Sequence, residues 1–190
     1  MDTKVFSCRA CGSNDYHMLL NMGDVPLANA FVKDEQGIED KTLWPLSLVM
    51  CSNLICRLLQ IREDVPRERL FRDYLWVTST SAGAKDHAEW LSRKLWDKFG
   101  STSKSPFLVE IASNDGFFLE HYKDVGFKIT GVDPSNLADE ANDRGLTSIR
   151  DFFGESVANR IIKSQGLADL IVARNVLGHS SQMRDLVSGM

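Results

Sequence analysis

"LVEIASNDGFFLEHY", residues 108–122, decides how this chain is read. It belongs to a short apolar run, "FLVEIAS" (107–113), bounded by Pro106 and Asn114, the pattern of a buried parallel strand. A helix follows at once, over about 116–124, and a cluster of small and acidic residues sits at the junction. Downstream, "KITGVDPS" (128–135) is a second strand stopped by Pro134, and "NLADEANDRG" is a helix ended by Gly145. "LTSIRDFF" is a third, short strand. "ESVANRIIKSQG" is a helix with Val157, Ile161 and Ile162 inward and Gly166 as its stop. "ADLIVARNVLGH" is a fourth strand running into a loop, and "SQMRDLVSG" starts a last helix. Upstream, "DHAEWLSRKLWDKF" (86–99) places Ala88, Leu91, Leu95 and Phe99 on one helical face. Strands alternating with helices predict an α/β fold with a Rossmann-like, doubly wound sheet of about four parallel strands. The order 3-2-1-4 leaves "LIVAR" as an apolar edge, which invites cover by a partner chain or by further sequence.

The 190 residues are 43% apolar and 25% charged, as in ordinary globular proteins of one domain or two small ones. A net charge of −4 with no Lys/Arg stripe excludes a nucleic-acid-binding surface. No apolar run approaches the roughly 20 residues of a membrane span, and "MDTKVFSCRACGS" lacks the apolar core of a secretion signal. The cytoplasm is the expected compartment, where thiols stay reduced.

Residues 1–80 hold all four cysteines and few helical patterns, so a small irregular module over 1–80 precedes the α/β domain over 81–190. "CRAC" (Cys8, Cys11) and "CSNLIC" (Cys51, Cys56) are two short-spaced pairs about 40 residues apart, which suits one tetrahedral structural zinc. Four sulfurs leave no position for water. Such a metal stabilises a segment whose own core is small. The second gap is wider than the usual two residues, and His17 is an alternative ligand.

In parallel sheets ligands bind beyond the C-terminal ends of the strands. The candidates there are Glu110, Ala112, Asn114, Asp115 and Gly116 after the first strand, Asp133 and Pro134 after the second, Asp151 and Phe152 after the third, and Asn175 after the fourth. Asp133 lies 23 residues after Glu110, where an acid accepts the hydroxyls of a ribose. The other reading of Asp133 is a cap on the turn before Pro134. A dinucleotide site needs G-x-G-x-x-G, but only Gly116 is present, and Glu110 and Asp115 would repel a diphosphate. Their charge favours S-adenosylmethionine, a cation at sulfur and nitrogen whose carboxylate can rest on a helix N-terminus.

The pieces "CRACGS", "MGDVPLANAF", "CRLLQI", "LFRDYLWVTSTS", "HAEW", "LVEIASNDGFFL", "GVDPSN", "DFFGESVA" and "ADLIVARNVLGH" run in order through almost the whole chain. On these the chain resembles the S-adenosylmethionine-dependent C-methyltransferases of nucleotide-linked 4-keto deoxysugars. The resemblance implies a zinc-binding N-terminal module, a class I methyltransferase sheet and a nucleotide-sugar substrate. It also implies that Tyr74 and His179 face the reaction, with His179 at the tip of the fourth strand in reach of the sugar. Ser79, Thr80 and Ser81 offer hydroxyls to the sugar or its phosphates, or cap the next helix. His87 and His121 fall on helices and are structural.

Trp76 stands in "DYLW" where the family has a second tyrosine. The family also continues through a Tyr-His-Glu-His segment, which holds its usual candidate base, and a further domain. The expectation is thus an incomplete chain that does not turn over alone. Two other readings stay open: a non-catalytic zinc-binding interaction protein with a remnant α/β domain, and a fragment of an NAD-dependent oxidoreductase.

Overall fold

A computed structural model describes residues 6–28, 42–72 and 74–190. The last residues of "MGDVPLANAF" and Asp73 of "DYLW" lie outside them. The chain forms two compact units, Met1–Leu70 with Ser181–Arg184, and Phe71–Ser180 with Asp185–Met190.

The first unit is more regular than its composition predicted. It holds a three-stranded antiparallel sheet of β1 (Tyr16–Pro26), β2 (Leu43–Cys51) and β3 (Leu59–Ile61), in that order. Helix α1 (Arg67–Phe71) follows. β1 escapes sequence reading because it lacks the period-2 alternation of a half-buried strand. Nine of its eleven residues are exposed, and pairing with β2 from Tyr16↔Cys51 to Pro26↔Leu43 holds it extended. β2 does alternate at its end, with Ser47, Val49 and Cys51 buried.

The second unit is the parallel sheet. Its strands are β4 (Phe107–Ile111), β5 (Lys128–Val132), β6 (Ser148–Ile149) and β7 (Leu170–Ala173), in the order β6-β5-β4-β7. This is the expected 3-2-1-4 arrangement. The crossovers carry α3 (Phe117–Val125), α4 (Leu137–Asp143) and α5 (Glu155–Gln165), while α2 (Ala82–Phe99) precedes the sheet and α6 (Met183–Ser188) follows it.

β4 is buried along its whole length because both faces are covered. Leu108 joins Phe118, Leu119, Tyr122 and Ile129 on one side, whereas Phe107, Val109 and Ile111 join Val132, Val157 and Ile161 on the other. That parity of two is the strand period, and it puts Glu110 on the Leu108 side. Ala88, Leu91, Leu95 and Phe99 of α2 pack onto that side as predicted. In α5, Val157 and Ile161 are buried, but Ile162 is 44% exposed. One further residue along a helix turns the side chain by about 100°, off a stripe that Val157 and Ile161 already fill. β7 is the edge strand, and all four of its residues are half-buried.

Candidate functional site: a cysteine cluster and an acidic crevice

In the first unit the four cysteine sulfurs lie within 4.8 Å of one another. Cys8 Sγ is 3.7 Å from Cys56 Sγ, and Cys11 Sγ is 3.6 Å from Cys51 Sγ. Zinc–thiolate bonds of about 2.3 Å in a tetrahedron place sulfurs about 3.8 Å apart, so the cluster has the right size. The wide "CSNLIC" gap is absorbed by a turn. Asn53 Oδ1 accepts the N–H groups of Ile55 and Cys56 at 3.0 and 3.2 Å, and Arg57 leaves the turn at φ +49°. His17 instead pairs with Met50 in the β1–β2 ladder.

Electrostatics also calls for a cation. Burial pushes the Cys51 thiol up to about 12. Cys56 is raised too: the backbone at Leu58 pulls it down, but burial and the neighbouring Cys11 and Cys8 outweigh that. At Cys8 burial is opposed by the backbone N–H groups of Cys11 and Ala10 and by the Gln60 amide, which together hold the thiol at about 6. Gln60 donates to Cys8 Sγ at 3.2 Å. Crowded thiols titrate apart until a divalent ion lets them ionise together. The unit carries a structural zinc site.

In the second unit the turn after β4 is built from alternating left-handed residues, with φ of +57° at Ala112, +54° at Asn114 and +76° at Gly116. Five of the six backbone N–H groups from Ala112 to Phe117 donate within the protein. Ala112 and Ser113 give theirs to Val132 O, and Asn114 gives its own to Asp133 Oδ2 at 2.8 Å. Gly116 bonds Ser113 O, and Phe117 bonds Asp115 Oδ1 at 3.3 Å. A nest of such groups is what a diphosphate requires, and here it is already used. Asp115 thus fills the start of α3, where the sequence placed the carboxylate of a ligand.

Gly116 has a packing reason: a Cβ would meet Leu146 Cδ1 at 2.8 Å and Ala141 Cβ at 3.0 Å. Arg144 donates to Asp115 O and braces the same turn.

Asp133 is buried at 6% exposure. Its Oδ1 accepts from Ser135 N at 2.9 Å and Ser135 Oγ at 2.5 Å. The acid therefore ties the β4 turn to the β5 turn, and Oδ2 keeps one lone pair beyond the Asn114 bond. Pro134 is half-buried beside it. Asp151 pairs with Arg160 of α5 at 2.5 Å and accepts from Phe152 N at 2.9 Å. Asn175 is exposed at φ +51°, and His179 is exposed on a short 3₁₀ turn over Leu177–His179. The structure brings Glu110, Asn114, Asp115 and Asp133 into one polar cluster; Asp151 bonds elsewhere, and Asn175 and His179 face solvent.

Two features were missed from the sequence. The segment Trp76–Thr80 lies on the β4 turn. Thr78 N and Oγ1 donate to Asn114 Oδ1 at 2.9 and 3.0 Å, Asn114 Nδ2 donates to Trp76 O at 2.9 Å, and Ser79 N donates to Asp115 Oδ2 at 3.2 Å. Thr80 Oγ1 is spent on Val77 O at 2.7 Å, and Ser81 makes no side-chain cap on α2. Tyr74, just upstream, is half-buried with its ring 6.2 Å from that of Phe71.

The second missed feature is Arg174. It donates to Glu110 Oε1 through Nη2 at 2.7 Å and Nε at 3.0 Å. Burial pushes Glu110 up to about 7, against the pull of Arg174. Glu110 Oε2 is buried without a hydrogen-bond partner among the described residues. A buried acidic cluster with an unpartnered carboxylate oxygen, on a turn that has already used five of its six N–H groups, suits a cation rather than a diphosphate.

The comparisons agree. Residues 85–188, 104 of 190, match the family described as "Methyltransferase domain", and the chain belongs to that family. Residues 8–71 match the family described as "Putative zinc binding domain". The chain is similar to the C-methyltransferase NovU of Streptomyces niveus, at 33% identity over 184 residues. The match covers 96% of this chain and 43% of that protein, so the chain spans less than half the length of its relative. The domain implies S-adenosylmethionine as methyl donor, and the acidic crevice fits it.

Proposed function

We propose that this chain is the zinc-binding and donor-binding portion, 1–80 and 81–190, of an S-adenosylmethionine-dependent C-methyltransferase acting on a nucleotide-linked 4-keto deoxysugar. The observation that carries the donor is the acidic cluster itself: three carboxylates, Glu110, Asp115 and Asp133, around a turn five of whose six N–H groups are already bonded. Carbon as acceptor is supported by the similarity to the C-methyltransferase NovU, and the sugar by the family resemblance of the sequence motifs.

The bound donor supplies an electrophilic methyl group. The chain's own residues would hold and orient it. Asp133 Oδ2 would accept a ribose hydroxyl, and the carboxylates of Glu110 and Asp115 would supply the negative field for the cationic end of the donor. Ala112, Gly116 and Pro134 would line the donor, and Phe152, Asp151 and Asn175 would hold its base, with Asp151 first released from Arg160. His179, exposed after β7, serves as a general acid or base toward the sugar, and the proton of the carbon beside the ketone goes to the base that the family carries in its Tyr-His-Glu-His segment. The hydroxyl of Tyr74 steadies the negative charge that develops on the ketone oxygen.

Calorimetric titration with S-adenosylhomocysteine and with NADH tests the donor. The expected result is saturable binding of the first and none of the second. Binding of NADH alone overturns the reading.

A further inference from the structure

The guanidinium of Arg174 sits on two groups that together recognise a cation. One is the Glu110 carboxylate, 1% exposed, with both contacts on Oε1. The other is the ring of Phe118, whose centroid lies 3.2 Å from Arg174 Cζ. An anion beside an aromatic face is the ordinary site of an ammonium or sulfonium ion. The parity of adjacent strands explains the arrangement. Glu110 pairs in register with Val172, so Arg174, two residues on, falls on the same face at the end of β7. Arg174 keeps 25% of its side chain exposed and can swing out, whereas Glu110 cannot.

We propose that Arg174 is an internal counter-cation that holds the Glu110–Phe118 site when no ligand is bound and yields it to the sulfonium of the methyl donor, so that it sets the preference of the site for S-adenosylmethionine over its neutral product. The inference rests on the donor reading above. Whenever it is ionised, Glu110 needs a positive partner, because a buried unpaired carboxylate is costly. Before binding the partner is Arg174. When the sulfonium is present it replaces the guanidinium. After methyl transfer the sulfur is neutral and does not compete, so Arg174 returns to the carboxylate; the guanidinium opposes the donor and not the product. The other charged or titratable groups in this field are Asp133, Asp115 and Tyr122.

The test is calorimetry on the full chain at about pH 8.5, with S-adenosylmethionine and S-adenosylhomocysteine as probes, on wild type, Arg174→Met and Arg174→Lys. Arg174→Met is expected to raise the affinity ratio of donor to product about tenfold, the scale of a partly buried charge interaction, and Arg174→Lys to leave it near wild type. An equal change in both affinities, or an unchanged ratio, overturns the inference. Wild type bypasses any folding defect. The Arg174 Nε–H resonance should move on adding the donor and stay in place with the product; a resonance that neither ligand moves also overturns it. If wild type binds neither ligand, the donor reading falls and takes this inference with it. If wild type binds both and the ratio does not respond, only the inference falls.

Discussion

At the residue scale, Glu110 and Gly116 carry the most weight. Glu110 is raised by burial to about 7, with Arg174 pulling the other way. Its folded value exceeds its ordinary 4.5, so the protonated form is favoured in the fold and stability falls as pH rises from about 4.5 through about 7. The anion that a cationic ligand needs is populated in the same window. Affinity for S-adenosylmethionine should therefore climb about tenfold between about pH 6 and pH 8, a change of roughly one unit in the linked equilibrium. Glu110→Gln should flatten the profile, and calorimetry at several pH values checks it.

Gly116 pairs a φ of +76° with a Cβ position already claimed by Leu146 and Ala141. Gly116→Ala should cost about 1–3 kcal/mol in urea unfolding. The small and acidic residues at this turn thus have three physical roles. The glycine lets α4 approach, the amide of Asn114 binds the Trp76–Thr80 segment, and the carboxylate of Asp115 caps α3.

At the element scale, the segment Trp76–Thr80 makes its own 3₁₀ turn, and Asn114 fixes that turn against the end of β4. Asn114→Ala removes the acceptor of Thr78 N and Thr78 Oγ1. Hydrogen exchange at Thr78 should then speed up by roughly tenfold or more, since a buried charge-free hydrogen-bond pair is worth about 1–2 kcal/mol. Unchanged protection at Thr78 would mean the segment is held by other contacts.

Strands and helices of the second unit were legible in the sequence because β4 is flanked by Pro106 and a polar turn, and because α2 and α3 carry clear apolar stripes. Contacts such as Thr78–Asn114, 36 residues apart, and Arg174–Glu110, 64 apart, were not. Nothing local marks a threonine or an arginine as the partner of a distant turn. β1 was illegible for the opposite reason: its pairing, not its pattern, makes it a strand. The role of Asp133 was legible only as two alternatives. In the structure its bonds to Ser135 and Asn114 brace the two turns and leave one acceptor position for a ligand.

At the scale of the whole molecule, the two units rest on different physics. The α/β unit has cores on both faces of β4. The first unit gathers four thiols around a point that needs a metal. Structural zinc in small domains contributes about 10 kcal/mol or more to folding. Metal analysis should give one zinc per chain. A strong chelator should abolish exchange protection across residues 42–61 before it touches β4. Cys56→Ser should lower the chelator concentration required several-fold, by weakening one of four ligand bonds. Among the described residues no helix is long and apolar enough to cross a membrane.

The central claim is that the crevice beyond β4 and β5 takes a cationic adenosyl ligand and rejects a diphosphate. The most direct measurement is the backbone amide spectrum of nitrogen-15-labelled protein, titrated in turn with S-adenosylmethionine, NADH and inorganic pyrophosphate. The account predicts that Asn114, Asp115, Gly116 and Ser135 shift with the adenosyl ligand and stay in place with the other two. Shifts of the same four amides on adding NADH or pyrophosphate, or their silence toward S-adenosylmethionine, would contradict it.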